Sequence, residues 1–144
     1  MLTLEDVRMV LRKESIRLTP QRIVIMDVLV DITEHPTVER VREIALARHP
    51  SISLATVYNT VTLLARHGLI VLLHGGKDGL RVDPNTSPHG HAYCLRCGAV
   101  TDMSIKKPAR LDEAMLDGFR KERTEVSVYG YCAKCVPFAT EELV

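Results

Sequence analysis

The sequence predicts an α+β chain in two parts: a helical N-terminal half closed by a hairpin, and a smaller α/β half built around four cysteines. Three observations predict it. Apolar residues recur at helical spacing four times before Gly68, and the short runs 69–73 and 80–82 then flank a glycine-rich stretch at 74–79. Asp83-Pro84-Asn85-Thr86-Ser87-Pro88 is the stretch densest in turn formers, so the boundary falls there and divides the chain into 1–82 and 83–144. The four cysteines all follow that boundary, as Cys94-Leu95-Arg96-Cys97 and Cys132-Ala133-Lys134-Cys135.

Thr3 and Asp6 make a capping-box-like start to a first helix with Val7, Val10 and Leu11 on one face. A second helix opens with Thr19 as N-cap and Pro20 in its first turn, and carries a stripe through Ile25, Met26 and Leu29. His35-Pro36-Thr37 opens a third, with Val41, Ile44 and Ala45 inward. Ser53 caps a fourth, Leu54 to His67, burying Val57, Val61 and Leu64, with Gly68 as its C′ residue. The runs 69–73 and 80–82 then flank the glycine-rich tip as a β-hairpin.

Helices ending in a helix–turn–helix and followed by a hairpin describe a winged helix, a unit that places its last helix in the major groove and its wing along the phosphates. The outward face of the fourth helix offers Ala55, Thr56, Tyr58, Asn59 and Thr62. Thr56 and Tyr58 suit thymine methyls or phosphates, and Asn59 suits an adenine edge. Arg17, Arg22 and Lys77 are the expected phosphate or minor-groove contacts. Bulk charge does not announce this partner. The net charge is +1, and the half up to Val82 carries 11 basic and 9 acidic residues. No apolar run approaches the ~18 residues that span a bilayer, so no membrane span is expected.

In the second half, His89-Gly90-His91 leads into the first cysteine pair. In an extended segment alternate side chains share a face, so His89 and His91 can grip one ion. Residues 100–104 read as a partner strand carrying Asp102. Pro108 through Phe119 reads as a helix burying Leu111, Met115 and Phe119, and 125–131 as a strand that delivers Cys132. Small α+β units of this kind often pair across a sheet edge to form dimers.

Each CxxC pair can aim two sulfurs at one point, and two pairs complete the tetrahedron of a structural zinc site: Cys94, Cys97, Cys132 and Cys135. The 34 residues between the pairs make the metal a staple for a whole subdomain. Disulfides would suit a secreted protein, but the N-terminus does not read as a signal peptide, and the expectation is a cytoplasmic protein. A thioredoxin-like redox site uses one CxxC opening a helix, whereas this chain has two. A zinc hydrolase or deaminase would need the glutamate of H-x-E and an open metal position, so no enzyme is expected.

Arg17-Leu18-Thr19-Pro20-Gln21-Arg22, His35-Pro36-Thr37, Ala55-Thr56-Val57-Tyr58-Asn59-Thr60, His89-Gly90-His91 and both CxxC pairs fall in the order and spacing of the ferric uptake regulator (Fur) family, and the chain resembles it over essentially its whole length. The resemblance implies a homodimeric winged-helix repressor of double-stranded DNA, read at an AT-rich inverted repeat. It also implies a four-cysteine zinc and a separate regulatory metal, Fe²⁺ or Mn²⁺, at the domain junction. Within the family the chain is most similar to the peroxide-sensing (PerR-like) branch, whose regulatory ligands map onto His35, Asp83, His89, His91 and Asp102. Asp102 stands where iron-uptake regulators typically carry glutamate. Pro88 and Gly90 stand where an accessory site would need a histidine and an aspartate, and Thr124 replaces a further histidine of many relatives. The family's usual glycine before Arg17 is missing as well; Ser15 and Ile16 occupy that region.

Three imidazoles and two carboxylates form a mixed nitrogen and oxygen set that suits Fe²⁺ or Mn²⁺. One ion held by ligands from both halves would fix the angle between them and favour the dimer whose recognition helices match two half-sites. By the same resemblance, His35 and His89 are the expected targets of Fe²⁺-catalysed oxidation by peroxide. Two alternatives remain open: an iron or manganese uptake regulator without peroxide sensing, and a metal-storage or scaffolding module that does not bind DNA.

Overall fold

A computed structural model describes residues 3–74, 77–106, 116–120 and 124–141. The chain divides into two compact units, Met1–Thr86 and Ser87–Val144.

The first unit holds four helices, α1 (Leu4–Lys13), α2 (Pro20–Asp31), α3 (Val38–Leu46) and α4 (Leu54–Arg66), followed by strands β1 (Val71–Leu73) and β2 (Arg81–Asp83). All four helices open the same way. The hydroxyls of Thr3, Thr19, Thr37 and Ser53 accept the backbone N–H three residues on, satisfying a donor that the helix itself cannot. The expected stripes are buried: Val7 and Leu11, then Ile25, Met26 and Leu29, then Val41 and Ala45, then Val57, Val61 and Leu64. Val10 and Ile44 are only half-buried. Because α2 packs on α1, α3 and α4, it also buries Val28 and half-buries Ile23, Val24 and Val30, so its apolar surface extends well beyond one stripe. Full burial of each valine, leucine, isoleucine or methionine in these stripes stabilises the unit by about 1.5–3 kcal/mol.

Two helices end in Schellman turns. Behind α4, Leu69 N–H bonds Leu64 O and Gly68 N–H bonds Ala65 O, with Gly68 at φ +66°. Behind α1, Ile16 N–H bonds Leu11 O and Ser15 N–H bonds Arg12 O. Ser15 sits there at φ +54°, the one non-glycine residue with positive φ among those described. The glycine missing from this region is missing where the backbone favours it most.

β1 and β2 pair antiparallel with Leu72 opposite Val82; β1 is shorter than the run 69–73 suggests, and β2 is as long as the run 80–82 but shifted one residue on, to include Asp83. The segment before α3 lies alongside β2: Thr37 bridges Arg81, Val38 N–H bonds Leu80 O, and Val82 N–H bonds Pro36 O.

The second unit is a three-stranded sheet in the order β4-β3-β5, made of β3 (Gly90–Cys94), β4 (Val100–Met103) and β5 (Ser127–Gly130). β3 pairs antiparallel with β4 and parallel with β5. A short 3₁₀ helix, Val136–Glu141, follows the second cysteine pair. Most of the helix expected at 108–119 lies outside the described residues. Its last expected core position is corrected: Phe119 is 66% exposed. Gly118 before it stands at φ +73°, so the chain leaves helical geometry there.

Candidate metal centres and nucleic-acid surface

The cysteine pairs meet at the end of the second sheet. β3 delivers Cys94 and β5 leads to Cys132, and the parallel pairing of Cys94 with Gly130 brings the two knuckles together. Gly98 N–H closes the first knuckle on Cys94 O at 3.0 Å, with Gly98 in the left-handed region, and Cys135 N–H closes the second on Cys132 O at 2.8 Å. The four Sγ atoms lie within 4.8 Å of one another, and Cys97 Sγ is 3.7 Å from Cys132 Sγ. Four sulfurs bonded to one zinc at ~2.3 Å stand about 3.8 Å apart, so the donor set fits that ion and is too open for two disulfides. All four are free thiols.

The electrostatics of the cysteines divide them. The Cys132 N–H donates to Cys94 Sγ at 3.4 Å, and this bond, with the amides of Cys97 and Arg96, lowers the Cys94 thiol to about 6. Backbone amides aimed at one sulfur favour the thiolate, the form that ligates metal. Cys135 is buried, and burial pushes its thiol up to about 12. A cation amid the sulfurs offsets that cost by holding all four as thiolates. Arg96 stacks over the Phe138 ring at 4.3 Å, tying the 3₁₀ helix to the first knuckle.

His89, His91 and Asp102 form a second cluster in this unit. β3 and β4 pair His91 directly with Asp102, and His89 lies two residues earlier on the same face. The Nε2 atoms of His89 and His91 are 3.0 Å apart, and they lie 3.4 and 3.7 Å from Asp102 Oδ1. His89 Nδ1 is 2.7 Å from Ser87 O. A carbonyl only accepts, so Nδ1 carries the hydrogen and Nε2 presents its lone pair, the arrangement of a metal-ligating histidine. Gly90 between them is required by space. A Cβ there would meet Val126 O at 3.0 Å and Val126 Cβ at 3.3 Å, so an aspartate at this position would displace the neighbouring chain.

In the first unit, the register that pairs Thr37 with Arg81 sets His35 opposite Asp83, with His35 Nε2 3.8 Å from Asp83 Oδ1. Asp83 is the last residue of β2 and 1% exposed, where the turn-rich sequence suggested a hinge residue. Its Oδ1 accepts the Asn85 N–H at 2.7 Å, and Arg81 donates to the His35 carbonyl at 2.8 Å, fixing the segment that carries the imidazole.

The expected nucleic-acid residues also lie in this unit. On α4, Asn59 is exposed and Thr56 and Tyr58 are half-buried. Thr56 Oγ1 lies 2.8 Å from Ser53 Oγ at the helix cap. Arg17 and Lys77 are exposed, while Arg22 donates to the Arg17 carbonyl at 2.8 Å and braces the turn before α2. Two features escape a sequence reading because they join residues far apart in the chain. Gln21 donates to Ser51 Oγ, which lies 3.1 Å from His49 Nδ1, tying the start of α2 to the turn before α4. The Tyr58 hydroxyl donates to Glu39 Oε1 at 3.0 Å. No helix among the described residues is long and apolar enough to cross a membrane.

The ferric uptake regulator family matches residues 13–129. The peroxide operon regulator of Bacillus subtilis is 32% identical over 87% of this chain and 88% of its own. The peroxide-responsive repressor PerR of Staphylococcus aureus is 33% identical over 87% and 86%. Among solved structures, the Campylobacter jejuni peroxide stress regulator superposes with TM-score 0.63 at 29% identity, covering 94% of this chain and all of that one. The Helicobacter pylori ferric uptake regulator superposes with TM-score 0.76 at 20% identity, covering 92% and 91%, a likeness of fold.

Proposed function

The chain belongs to the ferric uptake regulator family, and from that premise we propose that it is a metal-dependent, DNA-binding transcriptional repressor that senses peroxide through Fe²⁺-catalysed histidine oxidation. The observation that carries the peroxide reading is Asp102, the short carboxylate that β4 sets opposite His91, in a chain about a third identical to peroxide-responsive repressors.

Cys94, Cys97, Cys132 and Cys135 hold structural zinc. His35, Asp83, His89, His91 and Asp102 hold the regulatory ion, Fe²⁺ or Mn²⁺, each unit contributing part of a hard and borderline donor set. Ligands drawn from both units make the ion a clamp on the DNA-binding form, a shift that takes ~5 kcal/mol of differential affinity to go from 1:99 to 99:1. Bound ferrous iron supplies the reductant that splits peroxide. The chain's own part is to present the imidazoles of His35 and His89 as the groups that gain oxygen, after which the ligand set is broken and DNA is released.

The α4 residues Thr56, Tyr58 and Asn59 read bases of an AT-rich inverted repeat, and Arg17, Arg22 and Lys77 stand nearest the backbone or minor groove. Two half-sites call for a homodimer. β5, an edge of its sheet with Val128 and Tyr129 half exposed, offers the pairing strand. The work belongs in the cytoplasm, where thiols stay reduced, and it is regulation rather than catalysis.

The test is a gel shift on an AT-rich inverted repeat with Mn²⁺, with Fe²⁺, and with Fe²⁺ plus peroxide. Binding that needs metal, and that peroxide abolishes for iron alone, is the expected result. Metal-dependent binding insensitive to peroxide would make the chain an iron or manganese uptake regulator. No metal-dependent binding would leave a storage or scaffolding module.

A further inference from the structure

Glu39 is out of place on a surface read as contacting DNA. It stands in the first turn of α3, exposed, where the helix dipole favours a carboxylate but a phosphate backbone does not. Its two oxygens have different surroundings. Oε1 accepts the Tyr58 hydroxyl at 3.0 Å, joining α3 to the outward face of α4. Oε2 lies 3.9 Å from where a Cβ on Gly79 would sit, in the loop of the β1–β2 hairpin. Gly79 has φ +98°, so the loop comes this close through a backbone shape that favours glycine.

Tyr58 is half-buried, with part of its side chain packed against the core of the unit, so what the Glu39 bond adds is the position of the hydroxyl end and of the ring edge turned toward the groove. Here the hydroxyl is tied to a side chain 19 positions away in sequence. The bond also raises the Tyr58 phenol above its ordinary value, with burial and the carboxylate's charge adding to the effect, so the hydroxyl stays a donor and keeps its partner. We propose that Glu39 is a positioning residue for DNA recognition: its hydrogen bond fixes the Tyr58 ring for base contact, while its charge weakens binding to every duplex alike. The inference rests on the DNA-binding reading.

The experiment uses the full-length Mn²⁺-loaded dimer. The wild type selects a duplex from a random pool, and affinities are measured for that duplex and a scrambled one. Glu39→Ala and Tyr58→Phe should each lower the ratio of selected to scrambled affinity about fivefold, the size of one net hydrogen bond. The double variant should lose no more than either alone, because the two side chains act as one unit. Glu39→Gln, which keeps an acceptor and removes the charge, should tighten both duplexes and hold the ratio within about twofold of the wild type by the same logic. If Glu39→Ala tightens both duplexes alike and leaves the ratio unchanged, Glu39 is only a repelling charge and the positioning role is wrong. Additive losses in the double variant would overturn it too. If the wild type selects no sequence at all, the DNA-binding reading fails and takes this inference with it.

Discussion

His91 and Asp102 are direct partners across the β3–β4 ladder, with Asp102 Oδ1 3.7 Å from His91 Nε2 and 3.4 Å from His89 Nε2. Strand register alone produces this convergence. A residue two places from His91 on one strand and a residue opposite it on the next must share a face. The same logic serves His35 and Asp83, which the Thr37–Arg81 bridge sets opposite one another in the first unit. Each unit therefore carries its proposed ligands on backbone that hydrogen bonds already fix, so little ordering of those segments would be needed to bind an ion.

Removing one zinc ligand should undo the second unit. Cys97→Ser leaves three thiolates of which two, Cys94 and Cys135, are buried, Cys135→Ser leaves three of which Cys94 is buried, and either change uncouples the segment after β5 from the first knuckle. The expected product is zinc-free and largely monomeric or aggregated, read by metal analysis and sedimentation. A stable zinc-free dimer of either variant would disprove the staple.

Ser15→Gly should stabilise the first unit. A left-handed serine costs roughly 1–2 kcal/mol, partly offset by the extra freedom glycine brings to the unfolded chain, so the net gain is about 0.5–1 kcal/mol. Thermal unfolding should rise by about 2–6 °C. The reciprocal change Gly68→Ala has open space around its new methyl group, so its expected loss of about 1–2 kcal/mol comes from the backbone alone. Equal melting temperatures for the wild type and Ser15→Gly would mean the turn relaxes around serine at no cost.

What the sequence made legible was local. Thr3, Thr19 and Ser53 cap helices because a hydroxyl and an N–H three residues apart meet whatever the rest of the fold does. The cysteine pairs were equally legible, since a CxxC turn is short. Long-range pairing was not. Asp83 beside Pro84 looked like a turn residue, yet it pairs with Val71 across the hairpin, faces His35 on its other side and is buried. The parallel pairing of β3 with β5 depends on where the chain returns after some thirty residues, which no period records. Phe119 fitted a helical stripe, but Gly118 ends helical geometry one residue earlier. Glu39 gave no signal, because its meaning lies in Tyr58.

Asn59 and Lys77 should separate reading from attraction. Asn59 is exposed in the middle of α4, and Asn59→Ala should cost about 1–3 kcal/mol on the selected duplex and relax preference at one base pair. Lys77 stands exposed in the hairpin loop, and Lys77→Ala should weaken all duplexes alike and lower the salt slope by about 1. Titrations at several salt concentrations distinguish them. The same loss of specificity from both variants would argue against this docking.

Asp102 should decide between peroxide sensing and metal sensing. Its carboxylate sits half-exposed beside two imidazoles that are each only 10% exposed, and a glutamate there would reach one methylene further across the same face. The expectation is that the Fe²⁺-loaded protein, after brief exposure to peroxide, loses DNA binding and gains one oxygen on His35 or His89. The Mn²⁺-loaded protein, with a far weaker reductant bound, should keep both its mass and its DNA affinity. Asp102→Glu should retain metal-dependent DNA binding while its peroxide response is blunted, which separates the sensing role of this residue from its role as a ligand. Peptide mass spectrometry on both histidines, run beside gel shifts on the same samples, makes the measurement. If neither imidazole gains oxygen and the iron form still holds DNA, the chain is an iron or manganese uptake regulator that shares its ligands with the peroxide sensors.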